Sequence, residues 1–596
     1  MESSNKTLKI ASLFLMFVVA IAIFLLAVLK IVLEERRLPR LVISQKDRAI
    51  RGSIISSEGY QIAYSNKKYK AAINLDYLDP AKEELFVNLF HIYSDIPKEE
   101  IRKKLKRYKR RCKKRSGCYV TLSSDIDAKR AYQLRILARK LLQMNVFVFD
   151  ERGIRRGLDV IEYKEMRHYP YGDTCTPVLG YIRQIERKGE NYRRVKGIKG
   201  IERYYEKYLR PKRDGEIKGK RDIGNNIIFN KETLVKKRMD GYNVHLNLNL
   251  LLQKNLEKIL DTHRADLQAW EIIAAVMESD SGKILAIASS RRYDPSAVGR
   301  HASRYGYEDF NAKAVEYSFE PGSVMKPITF ALLLEHRLVN LYELVKGYNG
   351  RYKLGNSIIT DEHREDWFSA ENVIVYSSNI GMAQLAQRLS YDRFYEGLKR
   401  FGFGRKSGID LPFEHSGSVL PMYRFKSPVY KATIGYGYGI KATFIQLLNA
   451  YNVFNNDGEM ITPRIASFLS DASGRKKALP PPKKEVVISS KTANTMRKIL
   501  QKVVEKGTAK VAKIEGLEIG GKTGTAKIAK KRSKGYTKKY HSSFFGFAND
   551  KKHRYTIGVL VIRPSFERHF AAQSAVPVFR DIVMELLAEG YLTITP

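Results

Sequence analysis

From Ile10 to Leu29 the chain reads IASLFLMFVVAIAIFLLAVL, twenty positions of which only Ser12 is polar. At about 1.5 Å of rise per residue, such a helix crosses the roughly 30 Å of hydrocarbon in a bilayer. The run passes into KIVLEERRLPR without a small-residue cleavage site, which favours a retained anchor over a cleaved leader. Segment 10–33 is therefore expected to span a membrane, with residues 1–9 as a short cytoplasmic tail. Lys6 and Lys9 precede the span while Lys30, Arg36, Arg37 and Arg40 follow it, so flanking charge alone does not orient it.

Beyond the anchor the period of the pattern shortens and lengthens in turn. RGSIISSEGYQIAYS (51–65) alternates around Glu58-Gly59 and predicts an antiparallel hairpin. Near residue 241 the character changes. DGYNVHLNLNLLLQKNLEKILDTHRADL predicts a short strand and then a helix with apolar residues at helical spacing. AAVMESDSGKILAIAS (274–289) is a second hairpin turned at Asp280-Ser281-Gly282. SSFFGFA (542–548) and YTIGVLVIRP (555–564) are the last strands, and AVPVFRDIVMELLAEG (575–590) is the closing helix. Residues 246–590 thus read as one α+β domain built on an antiparallel sheet, preceded by a separate region, 34–245.

Composition narrows the class. With 596 residues and 44% apolar positions the chain is folded and too long for one core. A net charge of +43 raises the question of a polyanionic partner, but a membrane span argues against nucleic acid. The segment IPKEEIRKKLKRYKRRCKKRSGC (96–118) is a basic helix or loop, either a solvated face or a contact for lipid headgroups or wall polymer. Cys112, Cys118 and Cys175 form no CxxC pair, and no metal is expected. Cys112 and Cys118 either close a small disulfide loop in an exported domain or are free thiols. His363 and the acids of DEHREDW (361–367) have no ligand spacing and read as structural.

Candidate chemistry centres on FEPGSVMKPITF (319–330). Ser-x-x-Lys occurs four times, from Ser3, Ser65, Ser323 and Ser473, but only Ser323 follows a Pro-Gly turn and opens an apolar helix. There Ser323 and Lys326 share a face one turn apart. Burial disfavours the ammonium, so Lys326 can be neutral and take the hydroxyl proton. Two further elements sit on the expected framework. Ser377-Ser378-Asn379 opens a second apolar helix, where Ser377 and Asn379 could equally serve as caps. Lys522-Thr523-Gly524-Thr525 lies on an edge-strand pattern, where Gly524 allows a ligand near the backbone. Lys406-Ser407-Gly408, in a Gly-rich loop, reads as a turn, as does Glu414; Tyr436 and Tyr438 read as packing.

SxxK, SxN and KTG in this order resemble the penicillin-recognising serine acyltransferases. RGSIISSEG is similar to the RGxIxDRNG hairpin of class B penicillin-binding proteins, with Ser56 and Ser57 where Asp and Arg are usual. MRHYPYGDTCTPVLGYI (166–182) and GIKGIERYYEKYL (197–209) resemble that family's pedestal motifs, and 432–458 its helix before the KTG strand. Asn247-Leu248-Asn249 departs from the usual Thr-Ile-Asp.

The resemblance implies an elongated non-catalytic pedestal at 34–245 and a serine β-lactamase-like transpeptidase domain at 246–590. It implies D,D-transpeptidation of peptidoglycan stem peptides with no cofactor. Ser323 would be the nucleophile, Lys326 its base and Ser377 a proton relay. Asn379 would hold the substrate amide, and Lys522, Thr523, Gly524 and Thr525 its terminal carboxylate. The N–H groups of Ser323 and Thr525 would form the oxyanion hole. Partners would be β-lactams, the membrane, a glycosyltransferase (none of its size precedes the pedestal) and other wall-synthesis proteins. The catalytic domain would lie outside the inner membrane. Ser-Ser-Asn suits a division-type enzyme; an elongation-type enzyme, a β-lactamase, a D,D-carboxypeptidase and a β-lactam sensor are the alternatives.

Overall fold

The computed structural model describes residues 2–33, 41–112, 118–149, 156–186, 192–222, 227–530 and 535–594. They fall into two compact units, the smaller formed by residues 1–48 and 214–238. It holds the helix Glu2–Leu33 and a three-stranded sheet of Val42–Asp47, Gly215–Lys220 and Leu234–Lys236. The helix is continuous from Glu2, so residues 2–9 of the expected tail are helical. Its stretch Leu8–Val32 is long and apolar enough to cross a membrane, and none of it is buried against protein.

The larger unit contains residues 49–213 and 239–596. Its first half carries the expected hairpin, with Ile54–Ile55 antiparallel to Gln61–Asn74 and the left-handed Gly59 in the turn. The Glu58 carboxylate in that turn accepts the Leu250 N–H at 2.8 Å, at the start of helix α1 (Leu250–Asp266). Asn249 caps the same helix through the Leu252 N–H, which gives the unusual Asn-Leu-Asn a local role. The basic segment forms the helix Lys98–Cys112, which buries Ile101 and Leu105 and exposes most of its cations. Cys112 and Cys118 are joined in a disulfide, and residues 113–117 of that loop lie outside the described residues.

The second half is built on a five-stranded antiparallel sheet. Its strands are β1 (Glu271–Glu278), β2 (Ile284–Ser289), β3 (Glu518–Ala529), β4 (Tyr536–Asn549) and β5 (Arg554–Ile562), in the order β2-β1-β5-β4-β3. Almost every residue of β1 and β5 is buried, so helices cover both faces. The helix α1 pairs with the closing helix Ala575–Ala588, and Phe444–Asn455 pairs with Ser490–Glu505. β3 is the sheet's edge, as its sequence suggests.

A seam joins the two halves: Ala466–Ser470 pairs antiparallel with Asn243–Leu246, and Lys476–Ala478 extends the pair. Both strands thereby join the nine-stranded sheet that begins at Ile54. The buried Asp410 carboxylate reinforces this seam, accepting the Tyr205 O–H (2.6 Å) and the N–H groups of Ile465 (2.7 Å) and Ala466 (2.8 Å).

At the centre of the first half, Arg51 is 1% exposed. Its guanidinium donates to the Glu202 carboxylate (2.7 Å), the Glu202 carbonyl (2.6 Å) and Glu206 (2.6 Å), while its own N–H donates to Glu165. Arg167 closes the cluster by donating to Glu202 (2.7 Å) and to the Gly52 carbonyl (2.7 Å). Removing one partner of such a group leaves a buried charge uncompensated, at a cost of about 3–5 kcal/mol. Arg51→Met should therefore lower the thermal unfolding midpoint of the full chain by several degrees, and an unchanged midpoint would show that the cluster contributes no net stability.

Candidate active site

The nucleophile's turn is built by its neighbours. Gly322–Met325 forms a 3₁₀ turn that runs into helix α2 (Lys326–Glu335), with Pro327 in its first positions, where a missing N–H costs nothing. Gly322 is left-handed (φ +63°) and donates its N–H to the Gly437 carbonyl at 2.9 Å. Tyr451 donates its O–H to the Val324 carbonyl at 2.8 Å. From Pro321 to Leu333 only Ser323 is not buried. Among the described residues no hydrogen bond engages its hydroxyl.

Lys326 is fully buried, and its ammonium donates to the Ser377 hydroxyl (3.1 Å) and to the Ser377 carbonyl. Burial pulls its pKa down to about 7, against the opposing pull of the Asp361 and Glu362 carboxylates. Ser377 faces it in a left-handed conformation (φ +64°), uncommon for a residue with a side chain. It does not cap the helix as its sequence position allowed. Ser378 does, accepting the Gly381 N–H at 2.8 Å, so Ser377 lies outside α3 (Asn379–Leu385) and is free for Lys326. Asn379 donates through its side chain to the Thr360 carbonyl at 2.9 Å and stays partly open to solvent.

Edge strand β3 brings the third element. Lys522 is fully buried and donates to the Thr523 carbonyl and hydroxyl, each at 3.2 Å. Burial and the nearby Lys326 ammonium hold it well below the ordinary lysine range. The Thr523 hydroxyl also bonds Thr508 at 2.8 Å, and that of Thr525 accepts the Ala571 N–H at 3.1 Å. Gly524 permits the approach. A Cβ there would lie 2.8 Å from Ser543 Oγ, 2.9 Å from Val324 Cγ1 and 3.0 Å from the Pro321 carbonyl.

The structure thus joins Lys326 to Ser377 directly and lays β3 against the Ser323 turn. Lys406-Ser407-Gly408 is a turn wrapped on Glu414, which accepts the Ser407 N–H (2.6 Å) and hydroxyl (2.5 Å) and the Gly408 N–H (3.2 Å). Two contributors escape the sequence. Gly437, inside GYGYG, supplies the acceptor that fixes Gly322. Asp361, read as merely structural, takes the N–H of Asn379 and the hydroxyl of Ser378. Neither lies in a motif, and each acts across more than a hundred or about twenty intervening positions respectively, beyond the reach of local spacing. The stretch 432–458 is also two helices, Pro428–Gly435 and Phe444–Asn455, with GYGYG between them, not one.

The family model for the penicillin-binding protein transpeptidase domain matches residues 272–584, and that for the penicillin-binding protein dimerisation domain matches 46–246. The chain is 31% identical over 445 residues to stage V sporulation protein D of Bacillus subtilis, covering 73% of this chain and 65% of that protein. It is 27% identical over 560 residues to "Probable peptidoglycan D,D-transpeptidase PenA" of Neisseria gonorrhoeae, covering 92% of this chain and 86% of that one. The match to PbpB of Mycobacterium tuberculosis spans 64% of its length, so for it and the sporulation protein the chain spans under two thirds. Among solved structures, penicillin-binding protein 2X of Streptococcus thermophilus superposes with a TM-score of 0.73 at 22% identity, over 92% of this chain and 81% of that one. Penicillin-binding protein 3 of Mycobacterium tuberculosis, in complex with aztreonam, superposes at 0.65 and 23% identity, over 93% and 98%.

The close approach at Gly524 yields a test. Gly524→Ala must push β3 away from the turn, and a displacement near 1 Å costs about a hundredfold in rate. Any acyl transfer to Ser323 should fall by about that factor while the unfolding midpoint moves little. Unaltered acylation would mean that strand and turn are not held in register.

Proposed function

The chain belongs to the penicillin-binding protein transpeptidase family, and we propose that it is a membrane-anchored peptidoglycan D,D-transpeptidase working through an acyl-enzyme on Ser323. The observation that carries this reading is the buried Lys326 ammonium held on Ser377, one turn from a hydroxyl that is otherwise unengaged. With its pKa near 7, Lys326 is partly neutral at neutral pH and can accept the Ser323 proton. Ser323 Oγ then bonds to the carbonyl carbon of the penultimate D-Ala. The bond to the terminal D-Ala nitrogen breaks, and Ser377 returns the proton from Lys326 to the leaving amine. An amine from a neighbouring strand attacks the ester and releases Ser323.

Binding follows from the same side chains. The terminal carboxylate would meet Lys522, Thr523 and Thr525. Lys522 is depressed by burial and by a neighbouring cation, so an arriving anion restores its charge in place. The Thr525 hydroxyl, already accepting from Ala571, is left to donate. The N–H groups of Ser323 and Thr525 would hold the oxyanion, a contribution of about 3 kcal/mol per donor. Asn379 would bind the peptide amide. β-Lactams, which mimic the terminal dipeptide, would be trapped as stable esters. Asp361 is engaged on the N–H groups of residues 379 and 380, and Glu414 on those of residues 407 and 408, so neither is free to activate water as a β-lactamase requires.

The domain division proposed is anchor 10–33, pedestal 34–245 and transpeptidase 246–590, with the catalytic part outside the cytoplasmic membrane. Ser377-Ser378-Asn379 supports a septal role, with a glycosyltransferase and other wall-synthesis membrane proteins as partners.

Intact-mass spectrometry after benzylpenicillin treatment should show one adduct within residues 319–330, lost in Ser323→Ala. An adduct that survives this change overturns the assignment. The acylation rate should rise with pH through about 7, as Lys326 loses its proton. Sustained nitrocefin turnover near one per second, an ordinary enzymatic rate of about 1–10³ s⁻¹, would instead favour a β-lactamase.

A further inference from the structure

The group that holds the Ser-Ser-Asn segment in place is Asp361, just past the strand Ser357–Thr360. It is 7% exposed, and both carboxylate oxygens are occupied. Oδ1 accepts the N–H of Asn379 and, at 3.2 Å, that of Ile380. Oδ2 accepts the Ser378 hydroxyl. That hydroxyl in turn accepts the Gly381 N–H at 2.8 Å. The preceding residue, Thr360, takes the Asn379 side-chain amide through its carbonyl. One dipeptide, 360–361, therefore engages residues 378, 379 and 380 from outside the helix.

Ser377 lies between two holds. On one side the Lys326 ammonium bonds its hydroxyl and carbonyl. On the other, Asp361 fixes the backbone that begins one residue later. A left-handed serine is strained and persists only where its surroundings impose it. Releasing residues 378–380 lets Ser377 relax to an ordinary conformation, which turns its hydroxyl or carbonyl away from Lys326.

We propose that Asp361 is a positioning residue for the acyl-transfer site: its carboxylate clamps the start of α3 so that Ser377 stays on Lys326, and it supplies negative charge that faces the buried ammonium. This inference rests on the transpeptidase reading. The charged groups facing Lys326 are Asp361 and Glu362 from the segment after the strand, and Lys522 from β3. Both carboxylates favour the ammonium and Lys522 opposes it. Removing the Asp361 charge therefore makes Lys326 easier to deprotonate. A purely structural residue would lower the rate without changing the pH at which it rises.

The test compares full-length wild type, Asp361→Asn and Ser378→Ala in detergent, measuring acylation by a fluorescent penicillin from pH 5 to 9. Asp361→Asn should acylate at least about tenfold more slowly at its plateau, with the rise displaced by about 0.5–1 pH unit toward acid. Ser378→Ala retains the charge but loses both its bond to Asp361 and the cap on Gly381, so its rate should fall severalfold with the rise in place. An Asp361→Asn rise that stays put or moves toward alkaline pH overturns the electrostatic half. Wild-type rates in Ser378→Ala overturn the clamp, even if Asp361→Asn fails to fold. If wild type itself is not acylated, it is the transpeptidase reading that fails.

Discussion

Everything at the site depends on how closely an edge strand can lie against a one-turn helix. Strand β3 and the turn Gly322–Met325 meet with no room for a side chain at Gly524. The far side of the same turn is equally tight, since a Cβ on Gly437 would lie 1.9 Å from the Gly322 carbonyl oxygen. Gly322 itself is left-handed and supplies the N–H that Gly437 receives. The turn is thus gripped by backbone from both sides, leaving Ser323 as its open position. Tyr451 fixes a further carbonyl from the helix Phe444–Asn455 beneath. Such contacts are stiffer than side-chain packing, because backbone can yield only by moving a whole strand or helix.

That rigidity explains how two lysines can be tolerated in the interior. Isolated buried ammonium groups are costly, and the pair lowers its cost by losing protons more readily than free lysines do. Lys326 is stabilised by the hydrogen bonds it donates to one serine and by the field of two carboxylates. Among the described residues Lys522 donates to Thr523 alone, and it feels Lys326 as a like charge. The two differ in kind as a result. On the proposed reading Lys326, with a pKa near 7, would serve as the base, and Lys522 would regain its charge beside the substrate carboxylate. Both side chains are shifted in the same direction by burial, but one is opposed by carboxylates and the other is reinforced by a cation, the kind of perturbation that clusters at functional sites.

Much of this was legible in the sequence because it is local. The Ser323–Lys326 pairing needs only a helix after a Pro-Gly turn. The hairpins at 51–65 and 274–289 need only alternation and a turn glycine, and β3 reads as an edge from its own residues. What was not legible depends on contacts between distant positions. Nothing near DEHREDW shows that Asp361 will reach residues 378–380 when the rest of the segment lies on the surface. Nor does the pattern at 466–478 show which sheet those strands will join, since a short strand carries no signal of its partner. The choice of helix cap, left open by the sequence, has the same origin. Ser377 and Ser378 are equivalent as helix starts by composition, and tertiary contacts from Lys326 and Asp361 decide between them.

The seam between the two halves of the larger unit bears on how the site is supported. Asp410 gathers three donors from two regions: a tyrosine beside the helix Glu206–Leu209 and two backbone amides that open the strand Ala466–Ser470. Glu206 on that helix also receives Arg51, so the buried cluster and the Asp410 cluster share one short element. From Asp410 the chain leads within a few residues to Glu414 and the 407–408 turn, and then to Gly417, whose Cβ would lie 2.2 Å from the Lys441 carbonyl oxygen. Lys441 immediately precedes the two-residue strand that pairs with Ser318–Phe319, directly before the nucleophile's turn. The first half therefore shares a hydrogen-bonded seam with the half that carries Ser323, through the Tyr205–Asp410 bond and the strand pairing of Asn243–Leu246 with Ala466–Ser470, and does not stand apart from it as a spacer would.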